Sequence, residues 1–222
     1  MSAIGVIPAA GEARRLQPLT GSKELVMVGG RPVLEFLVER MQAADTADIV
    51  VVTTPDKRDV AAHARTLGLR VVQGSPATVS ASLALGLAGA DDAEIVLLGF
   101  PDTVWEPVDG FTRLLGALAP GADAVLGVFE SEEPERSDVV TLDGELVLSV
   151  DVKPFQPRSN LIWGCAVARK TALAGLERHD EPGRLFDELA GKGRVRAVPF
   201  PGQMIDIGTP EALARARRLL GP

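Results

Sequence analysis

The feature that most constrains this fold is the alternation of apolar, β-branched runs with helical segments over the first hundred residues. Residues 4–8, 48–54 and 93–99 are rich in Ile, Val and Leu, as expected for strands buried on both faces. Residues 33–44 and 57–67 place apolar side chains at helical intervals between these runs. The alternation predicts an α/β protein with a mixed, mostly parallel sheet and right-handed crossovers.

The pattern changes near residue 120. Strand-like runs at 124–130, 138–142 and 145–151 follow one another without a long helix, and Asp143-Gly144 predicts a hairpin between the last two. No linker interrupts the chain, so we expect a single domain of residues 1–222 with halves that divide near residue 120. The other expected elements are strands at 69–72 and 161–168, an edge strand at 195–199, and helices at 78–88, 172–178, 184–190 and 210–220.

Composition excludes several classes of protein. The 222 residues carry a formal net charge of −7 without a basic run, which argues against general nucleic-acid binding. The one cysteine, Cys165, excludes an internal disulfide framework. No apolar run reaches the roughly 18 residues of a membrane span, and the N-terminus lacks the basic region of a signal peptide. We therefore expect a cytoplasmic protein without nucleic-acid or membrane partners.

The first candidate site follows the first strand. That strand ends in Ala9, Ala10 and Gly11, whose small side chains let backbone N–H groups approach an anion closely. The carboxyl end of a parallel strand is where α/β proteins hold phosphates. Arg15 and Lys23 follow and would supply a planar guanidinium and a mobile point charge. These residues predict a phosphate-binding loop.

The segment AAGEARRLQPLT, followed by SKELVMV, resembles the start of the sugar-phosphate nucleotidylyltransferases, in particular the glucose-1-phosphate thymidylyltransferase-like members. Their pattern is a strand, G-x-G-x-R-L-x-P-x-T and then P/S-K-x-L, although Ala10 and Ala13 replace glycines that many members have. The resemblance implies a Rossmann-like three-layer α/β/α sandwich, the nucleotide-diphospho-sugar transferase fold. It also implies that the triphosphate binds to a backbone cradle and two cationic side chains. These residues are Ala9, Ala10, Gly11 and Glu12 for the cradle, with Arg15 and Lys23 as catalytic groups.

Two further acidic residues match the family. Asp102 follows a buried strand in the sequence GFPDT, where a turn residue would be equally ordinary. Asp206 lies in DIGTP, immediately before a proline-containing helix start at Thr209. The resemblance implies that Asp102 and Asp206 together bind Mg²⁺.

The second half carries matches to the sugar-phosphate site. Lys153 in the sequence VKP, with Asn160 and Gly164 downstream, falls on the family's pattern, but Val152 replaces its usual glutamate. Asp138 stands where the family has a glycine, and its carboxylate could accept hydrogen bonds from sugar hydroxyls. The resemblance implies that residues 121–222 bind the sugar phosphate through Lys153, Asn160, Gly164 and Asp138, in a pocket unlike that of the glucose-1-phosphate enzymes.

Nucleobase recognition is implied for residues that follow the strand predicted at 69–72. Gln73 matches a glutamine with which the family reads the base, and Thr78 takes the place of a glycine at the start of the next helix. Thr78 is equally well explained as a helix N-cap. The resemblance assigns nucleotide binding to residues 1–120 but leaves the identity of the base open.

The implied reaction transfers a nucleoside monophosphate from an NTP to a sugar 1-phosphate, giving an NDP-sugar and pyrophosphate. Such an enzyme would serve NDP-sugar biosynthesis, and we expect a monomer or a simple homodimer. Two alternatives stay open: a cytidylyltransferase-type enzyme with a non-sugar phosphate acceptor, and a catalytically silent, nucleotide-sugar-binding regulator.

Overall fold

The computed structural model describes residues 2–90 and 92–221. Its strands are β1 (Ala3–Pro8), β2 (Met27–Val28), β3 (Arg31–Pro32), β4 (Asp48–Thr53), β5 (Arg70–Gln73), β6 (Ile95–Gly99), β7 (Thr103–Val104), β8 (Ala124–Glu130), β9 (Val139–Asp143), β10 (Leu146–Asp151), β11 (Leu161–Arg169), β12 (Val195–Pro199) and β13 (Ile205–Asp206). Its α-helices are α1 (Val33–Gln42), α2 (Arg58–Thr66), α3 (Val79–Leu87), α4 (Gly110–Ala117), α5 (Pro182–Ala190) and α6 (Pro210–Leu220).

The main sheet of the described residues has nine strands in the order β5-β4-β1-β6-β11-β8-β12-β10-β9. The first four strands in this order are parallel to one another. The chain passes from β1 outward to β4 and β5 and then returns to the other side of β1 at β6. This reversal creates a crevice at the carboxyl ends of β1 and β6, where open α/β sheets bind their ligands.

The sheet is mixed, as predicted, but it is less parallel than predicted. Strand β11 is antiparallel to β6, β8 and β9, and β10 is antiparallel to β9 and β12. A parallel pair needs a long crossover connection, whereas β9 and β10 are joined directly by a hairpin at Gly144. The second half therefore mixes both orientations, with β12 parallel to β8.

Two predicted elements of the second half are wrong in detail. The strand at 195–199 was predicted at an edge, but β12 lies between β8 and β10, with Val195 and Ala197 buried. The helix predicted at 172–178 is instead two 3-10 turns, Lys170–Leu173 and Leu176–Arg178. Gly175 separates them with a φ of 86°, a left-handed conformation that a continuous helix does not contain.

The hydrophobic core lies on both faces of the sheet. In β4, Val50 and Val52 belong to one apolar cluster, whereas Ile49 and Val51 belong to another, as the alternation of side chains along a strand requires. Side chains of α3 and α5 pack into the first cluster, and side chains of α1, α2 and α4 pack into the second. The predicted buried strands are thereby confirmed as strands with two covered faces.

Candidate active site

A cleft of about 480 Å³ opens at the carboxyl ends of β1 and β6. It is lined by residues from both halves of the chain. The predicted site residues among its lining are Ala10, Gly11, Arg15, Lys23, Thr78, Asp102, Asp138, Lys153 and Asp206. Residues that are distant in sequence therefore meet in one concave site at the position that the sheet topology favours for ligands.

Asp102 and Asp206 are brought together by two short strands that the sequence did not predict. Asp206 of β13 pairs with Thr103 of β7, and the Ile207 N–H donates to the Asp102 carbonyl oxygen at 2.9 Å. Ile207 is fully buried in a small apolar cluster with Val104, next to α6. This packing anchors the segment that carries Asp206 against the loop that carries Asp102.

Lys23 contacts the first of these carboxylates directly. Its Nζ lies 2.6 Å from Asp102 Oδ2, and both side chains are mostly buried. Burial alone would lower the pKa of Lys23, but the charge of Asp102 and the hydrogen bond to it raise that pKa above its ordinary value. Lys23 is therefore a fixed positive charge at neutral pH.

Asp206 lies in a crowded electrostatic environment. Its Oδ1 accepts a hydrogen bond from the Gly208 N–H at 2.7 Å. Asp206 is exposed to solvent, yet desolvation by the surrounding protein, followed by the charge of Asp102, raises its pKa, while Gly208, Lys23 and Arg15 oppose that rise. A Cβ placed on Gly208 would lie 2.9 Å from Asp206 Oδ1 and 3.4 Å from Arg15 Nη2, so both side chains flank this glycine.

These two carboxylates fit a hard divalent cation that is shared with a substrate. Within the described ranges, no group of three or more Asp, Glu, His or Cys side chains could hold a metal ion by itself. Mg²⁺, however, is usually held by one or two carboxylates together with waters and substrate phosphates. The carboxylates of Asp102 and Asp206 interact electrostatically and together concentrate negative charge in this part of the cleft.

The phosphate loop does not need glycine at the positions where this chain has alanine. Ala13 has a φ of −84°, and Ala10 is not among the described non-glycine residues with a positive φ. Ala9 is buried, and its N–H donates to the Val52 carbonyl oxygen at 2.7 Å. A Cβ on Gly11 would meet no atom within 4 Å, so open space lies beside the loop.

Asp138 is a buried acidic residue in the part of the cleft that the second half of the chain forms. It is only 9% exposed, and its Oδ2 accepts a hydrogen bond from Trp163 Nε1 at 3.2 Å. Burial and the nearby charge of Glu181 raise the pKa of Asp138 to about 6. Lys153 has a φ of 42° and pairs with Glu181, and both of these residues line the cleft.

Sequence reasoning missed several lining residues of this end. Phe100 lines it and forms a ring pair with Trp163, with centroids 5.3 Å apart, whereas Trp163 itself was a candidate for this pocket from the sequence. Glu181 and Met204 also contribute side chains. Glu181 immediately precedes Pro182, the first residue of α5, and no local signal in the sequence distinguishes it from a solvated acid.

Five residues predicted for the site do not line the cleft, namely Ala9, Glu12, Gln73, Asn160 and Gly164. Gln73 and Glu12 are exposed, and the Asn160 carbonyl oxygen accepts from the Ser131 N–H at 2.8 Å. Gly164 is buried in β11, where a Cβ would lie 2.1 Å from Met204 Sδ. Gly164 therefore admits the side chain of Met204, which itself lines the cleft.

Thr78 is both a cleft residue and a helix cap. It lines the cleft, and its Oγ1 accepts from the Ala81 N–H at 3.0 Å. The predicted N-cap of α3 is therefore confirmed. Contact of Thr78 with a nucleobase stays a prediction.

A parallel half-sheet with a polar cleft at its switch point is the arrangement of a nucleotide-binding α/β protein. Sequence comparison identifies the family. The family model for the MobA-like NTP transferase domain matches residues 5–195, and the chain belongs to this family. The resemblance seen in the sequence motifs is thereby confirmed.

Named relatives share much of the chain. A glucose-1-phosphate thymidylyltransferase of Neisseria gonorrhoeae is 30% identical over 188 residues, covering 79% of this chain and 61% of the relative. The low-salt glycan biosynthesis nucleotidyltransferase Agl11 of Haloferax volcanii is 29% identical over 97% of this chain and 65% of its own length. The chain thus spans less than two thirds of these relatives.

A solved structure shares the fold. It is that of a "putative glucose-1-phosphate thymidylyltransferase" from Bacillus anthracis, in complex with a sucrose. The TM-score is 0.87 at 18% identity, and the match covers 99% of this chain and 96% of the other. The nucleotide-diphospho-sugar transferase fold is therefore shared.

Among the described residues, 2–90 and 92–221, no helix is both long enough and apolar enough to cross a membrane.

Proposed function

We propose that this protein transfers a nucleoside monophosphate from an NTP to a sugar 1-phosphate and releases pyrophosphate. The observation that carries the proposal is the meeting of Lys23, Asp102 and Asp206 in one cleft, between the phosphate loop and the site around Asp138. The relatives support the same reaction class, because one is named a glucose-1-phosphate thymidylyltransferase and the other a glycan biosynthesis nucleotidyltransferase. Helices on both sheet faces support a three-layer α/β/α arrangement for the domain.

The chemistry requires placement and charge rather than a general base. The attacking phosphate oxygen of a sugar 1-phosphate is already anionic near neutral pH. The protein must therefore bring two anions together in line and stabilise the charge that develops at the α-phosphate. The cleft offers backbone N–H groups and cationic side chains for this purpose.

The nucleotide end of the cleft is assigned to residues of the first half. Within the predicted cradle of Ala9 to Glu12, the N–H groups that follow Ala9 bind the triphosphate, because the Ala9 N–H already donates to the Val52 carbonyl oxygen. Arg15 stabilises the leaving pyrophosphate. Lys23 binds near the β- and α-phosphates, from a position already fixed by Asp102. Asp102 and Asp206 would hold Mg²⁺, which supplies positive charge to neutralise the phosphates when bound.

The acceptor end is assigned to residues of the second half. Lys153 binds the phosphate of the acceptor, for which it exchanges its present partner Glu181. Asp138 accepts hydrogen bonds from acceptor hydroxyls with the carboxylate oxygen that Trp163 does not use. Base contacts by Gln73 and Thr78, and acceptor contacts by Asn160 and Gly164, remain predictions.

One observation favours a second candidate, in which the acceptor is a phosphate with a cationic, non-sugar group. The aromatic pair Phe100 and Trp163 lies beside the carboxylates Asp138 and Glu181 at the acceptor end. Aromatic faces and carboxylates together suit an ammonium group. The catalytically silent alternative has less support, because the cationic and acidic side chains that the reaction needs meet in the cleft.

A pyrophosphate-release screen tests these assignments. Each of four NTPs is combined with Mg²⁺ and either a panel of sugar 1-phosphates or phosphocholine. Turnover with a sugar 1-phosphate supports the proposal, and turnover only with phosphocholine supports the second candidate. Nucleotide-sugar binding without turnover of any pair would leave the silent regulator as the correct assignment.

A further inference from the structure

Lys57 lies behind the phosphate loop and is outside every site assigned above. Its Nζ donates to the carbonyl oxygens of Ala9 at 3.1 Å and Gly11 at 2.6 Å, and to Glu24 Oε1 at 2.7 Å. A lysine ammonium has three N–H donors, so these contacts use all of them. The residue immediately precedes α2, and its side chain is 15% exposed.

Its partner Glu24 is fully buried. Glu24 Oε2 has no hydrogen-bond partner among the described residues, although Oε1 accepts from Lys57. Burial raises the pKa of Glu24, while the charge of Lys57 opposes that rise. A buried ion pair with an unsatisfied oxygen is a poor source of stability compared with apolar packing. Glu24 and Lys57 therefore matter more for the geometry that their contacts impose than for stability.

The contacts of Lys57 orient the loop. In a trans peptide, the C=O of one residue and the N–H of the next point in opposite directions. Lys57 holds the carbonyls of Ala9 and Gly11 behind the loop, which turns the N–H groups of Ala10 and Glu12 towards the opposite side. Ala10 and Gly11 line the cleft on that side.

The same pair also positions the catalytic lysine. Glu24 and Lys23 are consecutive residues of one 3-10 turn, Lys23–Leu25. Glu24 is directed into the interior to Lys57, whereas Lys23 is directed into the cleft to Asp102. Lys57 thus connects the loop after β1, the turn that carries Lys23 and the start of α2.

We propose that Lys57, through Glu24, is a positioning residue that sets the phosphate loop and Lys23 for the triphosphate of the NTP. The inference rests on the proposed function for the identity of the ligand. Lys57 would thus determine the affinity for a polyphosphate without touching the reacting atoms. Removing it should weaken triphosphate binding without altering binding of the acceptor.

The test compares Lys57→Met with Arg40→Met, in direct titrations of Mg²⁺-tripolyphosphate by calorimetry. Arg40 is a matched control, because it is a buried cation that donates to backbone carbonyls of Phe36 and Trp105, outside the cleft lining. We expect Lys57→Met to lose about 10- to 100-fold in affinity, as when other orienting partners are removed. Arg40→Met should retain the affinity and lose only thermal stability.

A second variant protects the test against misfolding. Glu24→Leu combined with Lys57→Met removes both charges and leaves no unpaired buried ion, so the fold should tolerate it better than the single change. The double variant should show the same loss of tripolyphosphate affinity. In an active enzyme, the KM for NTP should rise while the KM for the acceptor stays unchanged.

The outcomes separate this inference from the proposed function. Wild-type affinity in the double variant would overturn the inference, as would equal losses in Lys57→Met and Arg40→Met. A wild-type protein without measurable affinity for tripolyphosphate would overturn it as well. If tripolyphosphate binds and the variants lose affinity but no acceptor is turned over, the positioning role stands and the proposed reaction fails.

Discussion

Lys23 Nζ lies 2.6 Å from Asp102 Oδ2, so a cation that follows β1 and a carboxylate that follows β6 meet across the switch point of the sheet. The contact keeps Lys23 charged and holds it at one fixed position in the cleft. Asp206 adds a second carboxylate beside the first, held by the pairing of β13 with β7. This arrangement of charges makes the nucleotide end of the cleft testable by single substitutions.

Neutralising either acidic residue should abolish most turnover. Asp102→Asn or Asp206→Asn is expected to lower the rate of pyrophosphate release by about 10²–10³, the usual cost of losing one preorganised electrostatic group. Thermal melting should show an intact fold in both variants. Asp109→Asn is the control, because Asp109 is an exposed partner of Arg113 and neither residue lines the cleft. Wild-type rates in both site variants would contradict the metal assignment.

Removing Lys153 should affect the acceptor more than the nucleotide. Lys153→Ala and Lys153→Gly both delete the ammonium. Only glycine adopts the φ of 42° at this position without steric strain. Both variants should raise the KM for the acceptor to the same extent and leave the KM for NTP nearly unchanged, although their melting temperatures differ. Steady-state kinetics with each substrate varied in turn measure this, and equal losses for both substrates would argue against the assigned role.

The carboxyl of Asp138 should make the stability of the fold depend on pH. Its pKa is about 6 in the folded state against an ordinary value of 3.8, because of burial and Glu181, with Trp163, Lys153 and Arg184 opposing the rise. The folded state thus holds this proton more tightly than the unfolded state. The resulting stabilisation is complete below pH 3.8 and is lost as the pH rises to about 6.

Asp138→Asn tests that dependence. Above the folded-state pKa, the ionised carboxyl costs the fold on the order of 3 kcal/mol, a cost that the amide does not carry. The variant should therefore be more stable than the wild type at pH 7, and the difference should shrink towards pH 4. Urea unfolding at four pH values measures it. A difference that stays constant with pH would show that the carboxyl is not desolvated as described.

Gly164 should act on the cleft through Met204. A Cβ at Gly164 would lie 2.1 Å from Met204 Sδ and 3.0 Å from Phe129 Cε2, so Gly164→Ala must displace the methionine. Overpacking of this kind costs about 1–3 kcal/mol, and the displaced side chain would also obstruct the acceptor end. The double variant with Met204→Ala should recover both stability and acceptor KM. A kinetic defect that persists in the double variant would instead favour direct contact between Gly164 and the substrate.

The elements that the sequence predicted well are those whose signal is local. The apolar runs of β1, β4 and β6 read as buried strands because both of their faces are covered by helices. The predicted edge position of β12 was wrong, because β12 pairs with β8 on one side and β10 on the other. Strand order is set by such long-range pairing, which a local pattern does not contain. Strands as short as β7 and β13 contain two residues each and carry no periodic signal.

The chemistry of the site divides in the same way. The order of small and basic residues after β1, and an acid after β6, are properties of the chain itself, and they identified the phosphate loop, Lys23 and Asp102 as candidates. Asp206 is brought beside the loop that carries Asp102 only because β13 pairs with β7. The hydrogen bonds of Lys57 to Glu24 and to the carbonyl oxygens of Ala9 and Gly11 likewise join three segments that no sequence motif connects. Local composition specifies which groups are present, whereas only tertiary packing determines which charges lie within a few ångströms of one another, because Coulomb and hydrogen-bond energies depend on distance.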